Sequence, residues 1–447
     1  MKIAYVCAGT GNAFYCENCI RDHALTVGLR ALGHDVAVAP MYLPVTDAEA
    51  EGGVAPVMFG AVRLYLIDKF PSLKRLPEKS LRFLDRRKIL DMAASFASST
   101  RAGGHEEMTI SMLEGGDGPF ADEFGKSAES LLKLKPDLIF LSNAFLLGVG
   151  EAVKAISPVP IACLLQDEHV WVDAAAQNYR GKTWKAIADK CRYADALYTF
   201  SDWFKEKIAA LLSLPSGIIS TIPLGVDPAR YAASTISSTP SSSQAIHAAS
   251  TTSSTSAASI GYISRLCGDM GMDVLTNAYC QLLNKRACND APTLDFCGGY
   301  TKDDMPIIKK SRKAVSQSGG RMNIRKNFGI GDRAAFLSSQ SILAVPAQVN
   351  IAFGAFIAEA MAAGVPVVQP DEGGFSEIIS ETKAGLLYSP NTPEALADAL
   401  EKALLDDDSR KSMAEAGRRA VLEKYNNVET ARRALAFLND KAIVKDP

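Results

Sequence analysis

Short apolar runs alternate with stretches of helical periodicity along most of this chain. Residues 2–8 form an apolar run that ends in Gly9-Thr10-Gly11-Asn12. Residues 21–32 repeat apolar positions at helical spacing, Gly33-His34-Asp35 breaks the pattern, and residues 36–40 form a second apolar run. This predicts a βαβ unit with a glycine-bearing first turn. Further buried strands are predicted at 137–141, 161–165, 196–200 and 218–222, with helical stretches between them. Strands alternating with helices build an open parallel sheet, because each crossover helix covers a sheet face.

Residues 234–259 interrupt the pattern. They are almost entirely Ser, Thr and Ala. Such a segment buries too little apolar area to offset the entropy of ordering, which predicts a flexible linker. Beyond it the alternation resumes, with strands at 259–263, 293–297 and 342–345, a helix over 272–283, and a helical region over 393–438 charged on one face. The predicted fold class is α/β, with two doubly wound Rossmann-like domains facing a cleft. The first spans 1–233, the linker 234–259 and the second 260–425, leaving a C-terminal helix over 426–447 that can cross back to the first. Ligand sites in such sheets lie at the carboxyl ends of the strands.

Composition narrows the class. The 447 residues are 47% hydrophobic and 22% charged, with a net charge of −2, so nothing points to nucleic acid. No run approaches the ~20 apolar residues of a membrane helix. The first residues enter a strand pattern directly, without a signal-peptide layout, and nine scattered cysteines suit reduced thiols. Both features predict a cytoplasmic protein. Cys16 and Cys19 form a C-x-x-C, but no second pair completes a zinc set, so packing in a loop competes with metal or redox use. Residues 69–91 hold eight Lys or Arg among apolar residues. That pattern suits peripheral contact with an anionic membrane, or equally a solvated helix.

Candidate chemistry concentrates in residues 353–368. Phe353-Gly354 opens a predicted helix from Ala355, Glu359 is its one carboxylate, and Gly364 and Pro366 stop it before Val367-Val368. A helix N-terminus offers unpaired amides to a phosphate, and a lone acid suits a ribose diol. An ordinary loop–helix–strand unit with Glu359 facing water has the same pattern. Arg265 follows the strand at 259–263, where a guanidinium can reach a diphosphate. Gln166-Asp167-Glu168-His169 follows another strand, and polar residues at a strand exit fit a cleft better than a core. The Gly9–Asn12 turn lets the backbone approach a ligand closely. It lacks both the third glycine of a dinucleotide fingerprint and a Gly-Lys-Ser/Thr, so neither NAD nor a P-loop is indicated.

The block from Phe353 to Val368 resembles the C-terminal signature of family-four retaining glycosyltransferases, which have the GT-B fold. Gly33-His34, the segment 222–227 and Gly373-Gly374-x-x-Glu377 match further parts of that family in order. The resemblance implies transfer of a hexose from a nucleotide diphosphate sugar, with retention and without metal or cofactor, to a sugar, glycan or lipid-linked acceptor. It implies that Glu359 holds the ribose and that Phe353, Gly354, Ala355 and Arg265 hold the donor. Arg265, Gln166 and Asp167 are the catalytic candidates. Gly9, Thr10, Gly11, Asn12 and His169 are the acceptor candidates. Three positions depart from the family. Ile351 replaces its first acid, Met270 a phosphate-binding Lys, and Gln166 a His. Those departures support an alternative: a GT-B protein that binds nucleotide or glycan without efficient transfer. A phosphorylase or epimerase lacks support, since no pyridoxal-binding Lys motif is evident.

Overall fold

The computed structural model describes residues 1–9, 17–45, 54–55, 57–58, 104–232, 258–285, 291–325 and 329–444. The basic stretch at 69–91, Thr10, Gly11, Asn12, Cys16, and the predicted linker up to residue 257 lie outside these.

The described residues contain two six-stranded sheets. The first is ordered β2-β1-β3-β4-β5-β6 and the second β12-β11-β10-β7-β8-β9. Strands β1 (Lys2–Cys7), β2 (Asp35–Pro40), β3 (Leu138–Leu141), β4 (Ile161–Leu164), β5 (Ala196–Thr199) and β6 (Ile219–Thr221) all pair in parallel. So do β7 (Ser259–Ile263), β8 (Thr293–Cys297), β9 (Arg321–Arg325), β10 (Ile342–Leu343), β11 (Val367–Pro370) and β12 (Gly385–Tyr388). Helices cover both faces, so β3, β4 and β5 are buried at every residue, and their sequences are apolar apart from Thr199. The strand order reverses between β1 and β3 in one sheet and between β7 and β10 in the other. Crevices at such reversals take ligands.

One strand carries no apolar run. β9 alternates exposed and half-buried residues, as an edge strand does, and β12 closes the opposite edge half-buried. The helical region at 393–438 is three helices: Pro393–Leu405, Asp407–Glu423 and Asn427–Asp440. Asp406 and Asn426 break it by accepting hydrogen bonds from the amides of Ser409 and Glu429, which are helix N-caps.

The last helix lies against the first domain. The Tyr198 hydroxyl donates to the Ala434 carbonyl at 2.7 Å, and Thr430 Oγ1 donates to the Pro223 carbonyl at 2.7 Å. Val226 bridges in register, donating to the Tyr425 carbonyl and accepting from the Asn427 amide, both at 3.0 Å. Gly28, in the helix Glu17–Ala31, permits the approach. A Cβ there would fall 2.0 Å from the Asn427 carbonyl oxygen. Among the described residues no helix is long and apolar enough to cross a membrane.

Candidate functional site

The exits of β1 and β4 meet the exits of β7 and β10 between the domains. Gly9 lies two residues beyond β1 at φ +73°, and a Cβ would lie 1.7 Å from the Leu43 carbonyl oxygen. The neighbouring loop therefore already explains the glycine without a ligand. Gln166 turns into its own domain. Its Nε2 donates to Asp22 Oδ1 at 3.1 Å and, at shorter range, to the Ser142 carbonyl.

Asp167 and His169 reach across. Asp167 has φ +60°, a left-handed conformation that Asp tolerates better than most non-glycine residues. Its Oδ2 accepts from Arg21 Nη1 at 2.7 Å, and its Oδ1 accepts from the Ala352 amide at 2.5 Å. His169 Nε2 lies 2.5 Å from the Asn350 carbonyl oxygen, with the ring against Trp203 and Phe204. Burial lowers the His169 pKa, and a neutral ring facing a carbonyl carries its proton on Nε2. This acceptor candidate is thus tied to the other domain's loop. Between the two, Glu168 is buried, and desolvation raises its pKa to about 7.

In the second domain Gly354 takes φ +81° and starts the helix Ala355–Ala363; a Cβ would meet the Phe375 ring at 2.8 Å. Phe353 packs against Tyr425. Glu359 does not face water: it is 0% exposed. Its Oε1 accepts from the Tyr231 hydroxyl at 2.5 Å and from Arg333 Nε at 2.8 Å. Its Oε2 is buried without a hydrogen-bond partner among the described residues. Glu359, Tyr231 and Arg333 line a small interdomain cavity with His23 and Ala24 of the helix Glu17–Ala31. Burial lowers the His23 pKa to about 4, and Arg230, Arg30 and Arg333 add to the effect, so the ring is neutral.

Arg265 leaves β7 and pairs with Asp304 at 3.1 Å; Asp304 also accepts from the amide and hydroxyl of Thr301. Ile351 is 5% exposed, while its carbonyl accepts from the Gly374 amide at 3.0 Å. Met270 is half-buried, and its carbonyl accepts from the Tyr262 hydroxyl at 3.2 Å. Glu377 accepts from the amides of Asp202 and Trp203, each at 3.1 Å, and so caps a first-domain helix from the second domain.

The residues that sequence reasoning passed over are Glu17, Arg21, Tyr231 and Arg333. Glu17 and Arg21 are an i,i+4 pair, a common helix-surface pattern that gave no reason to single them out. Arg21 is nevertheless 1% exposed.

Residues 244–420 match the family model described as glycosyl transferases group 1. The fold is GT-B, and over residues 244–420 the chain is similar to the group 1 glycosyl transferases. Across 98% of both chains it superposes on the sucrose-phosphate synthase of Thermosynechococcus elongatus with a TM-score of 0.69 at 16% identity, a likeness of fold. In sequence it is 32% identical to a D-inositol 3-phosphate glycosyltransferase of Corynebacterium urealyticum, over 36% of this chain and 38% of that protein. It is 28% identical to a GDP-mannose-dependent alpha-(1-6)-phosphatidylinositol monomannoside mannosyltransferase of Mycobacterium tuberculosis, over 39% of this chain and 46% of that one. Each match thus spans less than half of the relative's length.

Proposed function

We propose that this protein is a retaining hexosyltransferase that uses a nucleotide diphosphate sugar and needs no metal. The observation that carries the reading is the second oxygen of Glu359, buried in the interdomain wall without a partner among the described residues. A carboxylate oxygen in that condition is costly unless a ligand donates to it, and a ribose diol supplies such donors. The helix beginning at Ala355 presents its first amides beyond the Gly354 turn, where they suit a diphosphate. Arg265 adds a cation at the exit of β7. Charge on the departing diphosphate would then be stabilised by fixed dipoles and a guanidinium, with front-face attack by the acceptor hydroxyl. Paired-carboxylate machinery need not be invoked, and Ile351 removes one candidate acid for it.

The two relatives support the class by their names, one a D-inositol 3-phosphate glycosyltransferase and the other a GDP-mannose-dependent phosphatidylinositol monomannoside mannosyltransferase. The matched family model begins at residue 244 and so covers the donor candidates of the second domain. The acceptor candidates lie in the first domain. We therefore assign the acceptor only as a sugar, a glycan or a lipid-linked glycan. The basic stretch at 69–91 is our candidate for peripheral contact with an anionic membrane if the acceptor is lipid-linked.

The test is a screen of UDP- and GDP-hexoses for binding, followed by donor turnover with and without EDTA and NMR assignment of the product anomer. Binding of one donor, EDTA-insensitive turnover and a retained anomer are expected. Failure to bind any nucleoside diphosphate would sink the reading.

A further inference from the structure

Arg265 is the one cation that the sequence assigns to the diphosphate, and Met270 stands where the family resemblance implies a second. The fold brings up another. Arg21 is buried, with its guanidinium over the Phe200 ring at 5.8 Å. It donates to Glu17 Oε2 at 3.1 Å and to Asp167 Oδ2 at 2.7 Å. Both carboxylates continue into the second domain. Ser264 Oγ donates to Glu17 Oε1 at 3.5 Å, and the Ala352 amide donates to Asp167 Oδ1 at 2.5 Å. Ser264 immediately precedes Arg265, and Ala352 immediately precedes the Phe353-Gly354 turn. An ionic chain from the first domain therefore joins the two loops that the proposed donor site requires, with a guanidinium at its centre.

The place is rich in negative charge. Burial raises the Glu17 pKa to about 7, Arg21 pulls the other way, and Asp167 and Glu359 add to the rise. A backbone amide and a guanidinium pointing at one carboxylate are the partners that a phosphate oxygen also takes. Arg suits this task because its planar fork can hold two anionic oxygens at once.

We propose that Arg21 is the second cation of the diphosphate site, supplied by the first domain, and that Asp167 is an internal carboxylate that a bound diphosphate displaces from Arg21 and from the Ala352 amide. This rests on the nucleotide-sugar reading above. No bond is made or broken in the exchange: one anion replaces another on the same donors. The leaving diphosphate would then be held by one arginine from each domain, so its stabilisation depends on the closed cleft.

The exchange predicts opposite effects for its two members. Calorimetry with UDP and GDP, and with UMP and GMP as controls lacking the second phosphate, reads them. With whichever diphosphate binds the wild type, Arg21→Gln is expected to lose tenfold or more in affinity while the matching monophosphate changes less than twofold. Arg21→Lys should recover part of the loss. Asp167→Asn is expected to bind the diphosphate several-fold more tightly, since its neutral amide competes less well for Arg21. A purely structural ion pair predicts the reverse sign for Asp167→Asn. Wild-type-like diphosphate affinity in a folded Arg21→Gln protein, or weaker binding in Asp167→Asn, overturns the proposal. Should Arg21→Gln fail to fold, Asp167→Asn decides alone. A wild type that binds neither diphosphate overturns both this inference and the reading beneath it, whereas tight wild-type binding with unaffected variants overturns this inference only.

Discussion

The Tyr231 hydroxyl donates to Glu359 Oε1 at 2.5 Å, across 128 residues of chain. Tyr231 comes from the short helix Pro228–Ala232 that follows the first sheet, and Glu359 from the middle of the helix opened by Gly354. Arg333 Nε holds the same oxygen at 2.8 Å. The carboxylate is thus oriented from two sides, and its other oxygen has no hydrogen-bond partner among the described residues. Tyr231→Phe removes one of the two donors while keeping the ring. It should lower stability by ~1.5–3 kcal/mol, the net worth of a hydrogen bond to a charged group. Urea denaturation of the two proteins measures it, and an unchanged midpoint would show that Arg333 alone suffices.

Glu359→Gln addresses the ligand side. The amide oxygen can still accept from Arg333, but the buried charge is gone. Nucleoside diphosphate affinity should fall by ~1–3 kcal/mol, the range for losing a charged hydrogen bond. Calorimetry checks it, with Tyr231→Phe as the comparison that perturbs the carboxylate without neutralising it. Equal affinity in wild type and Glu359→Gln would remove Glu359 from the ribose site.

Glu168 makes stability depend on pH in an unusual direction for a carboxylate. Burial raises its pKa from 4.5 to about 7, although the Ala144 amide donates to Oε1 at 3.0 Å. The folded state therefore binds the proton more tightly than the unfolded chain does. That contribution is fully present below pH ~4.5 and is lost as pH rises through about 7. At ~1.4 kcal/mol per unit, the loss is on the order of 3 kcal/mol. Glu17 shares the direction and the window. Glu168→Gln, which cannot ionise, should equal the wild type near pH 4 and exceed it at pH 8. Denaturant titrations at both values test this; a constant difference across that range would refute it.

The contact between the first and last helices sets a packing test. Gly28→Ala places a methyl 2.0 Å from the Asn427 carbonyl oxygen and 3.1 Å from the Ala431 Cβ. Overpacking of this kind costs ~1–3 kcal/mol, more than the helix propensity that alanine gains. Gly125 lies in the helix Ala121–Leu132, and a Cβ at that position would meet nothing within 4 Å. Gly125→Ala should therefore stabilise by ~0.5–1 kcal/mol. Melting temperatures moving in opposite directions are expected, and a Gly28→Ala protein as stable as the wild type would mean that the two helices can part without loss.

The sequence by itself determined the interior strands and the turns. β3, β4 and β5 are covered on both faces, so burial writes itself into the chain as unbroken apolar runs at 138–141, 161–164 and 196–198. Gly354 and Gly364 were legible for a similar reason, since the left-handed turns that begin and end a helix favour glycine locally. The edge strand β9 was not legible, because a half-exposed strand needs no apolar run. Tertiary structure alone decided how the charged groups are partnered. Nothing near Arg21 in the chain says that its guanidinium meets Asp167, 146 residues away, or that Asp167 meets the Ala352 amide, 185 residues away. Periodicity encodes which face of an element is buried. It does not encode which distant group stands opposite, and in the low-dielectric space between two domains that partner decides whether a buried charge is neutralised, raised in pKa or left open to a ligand.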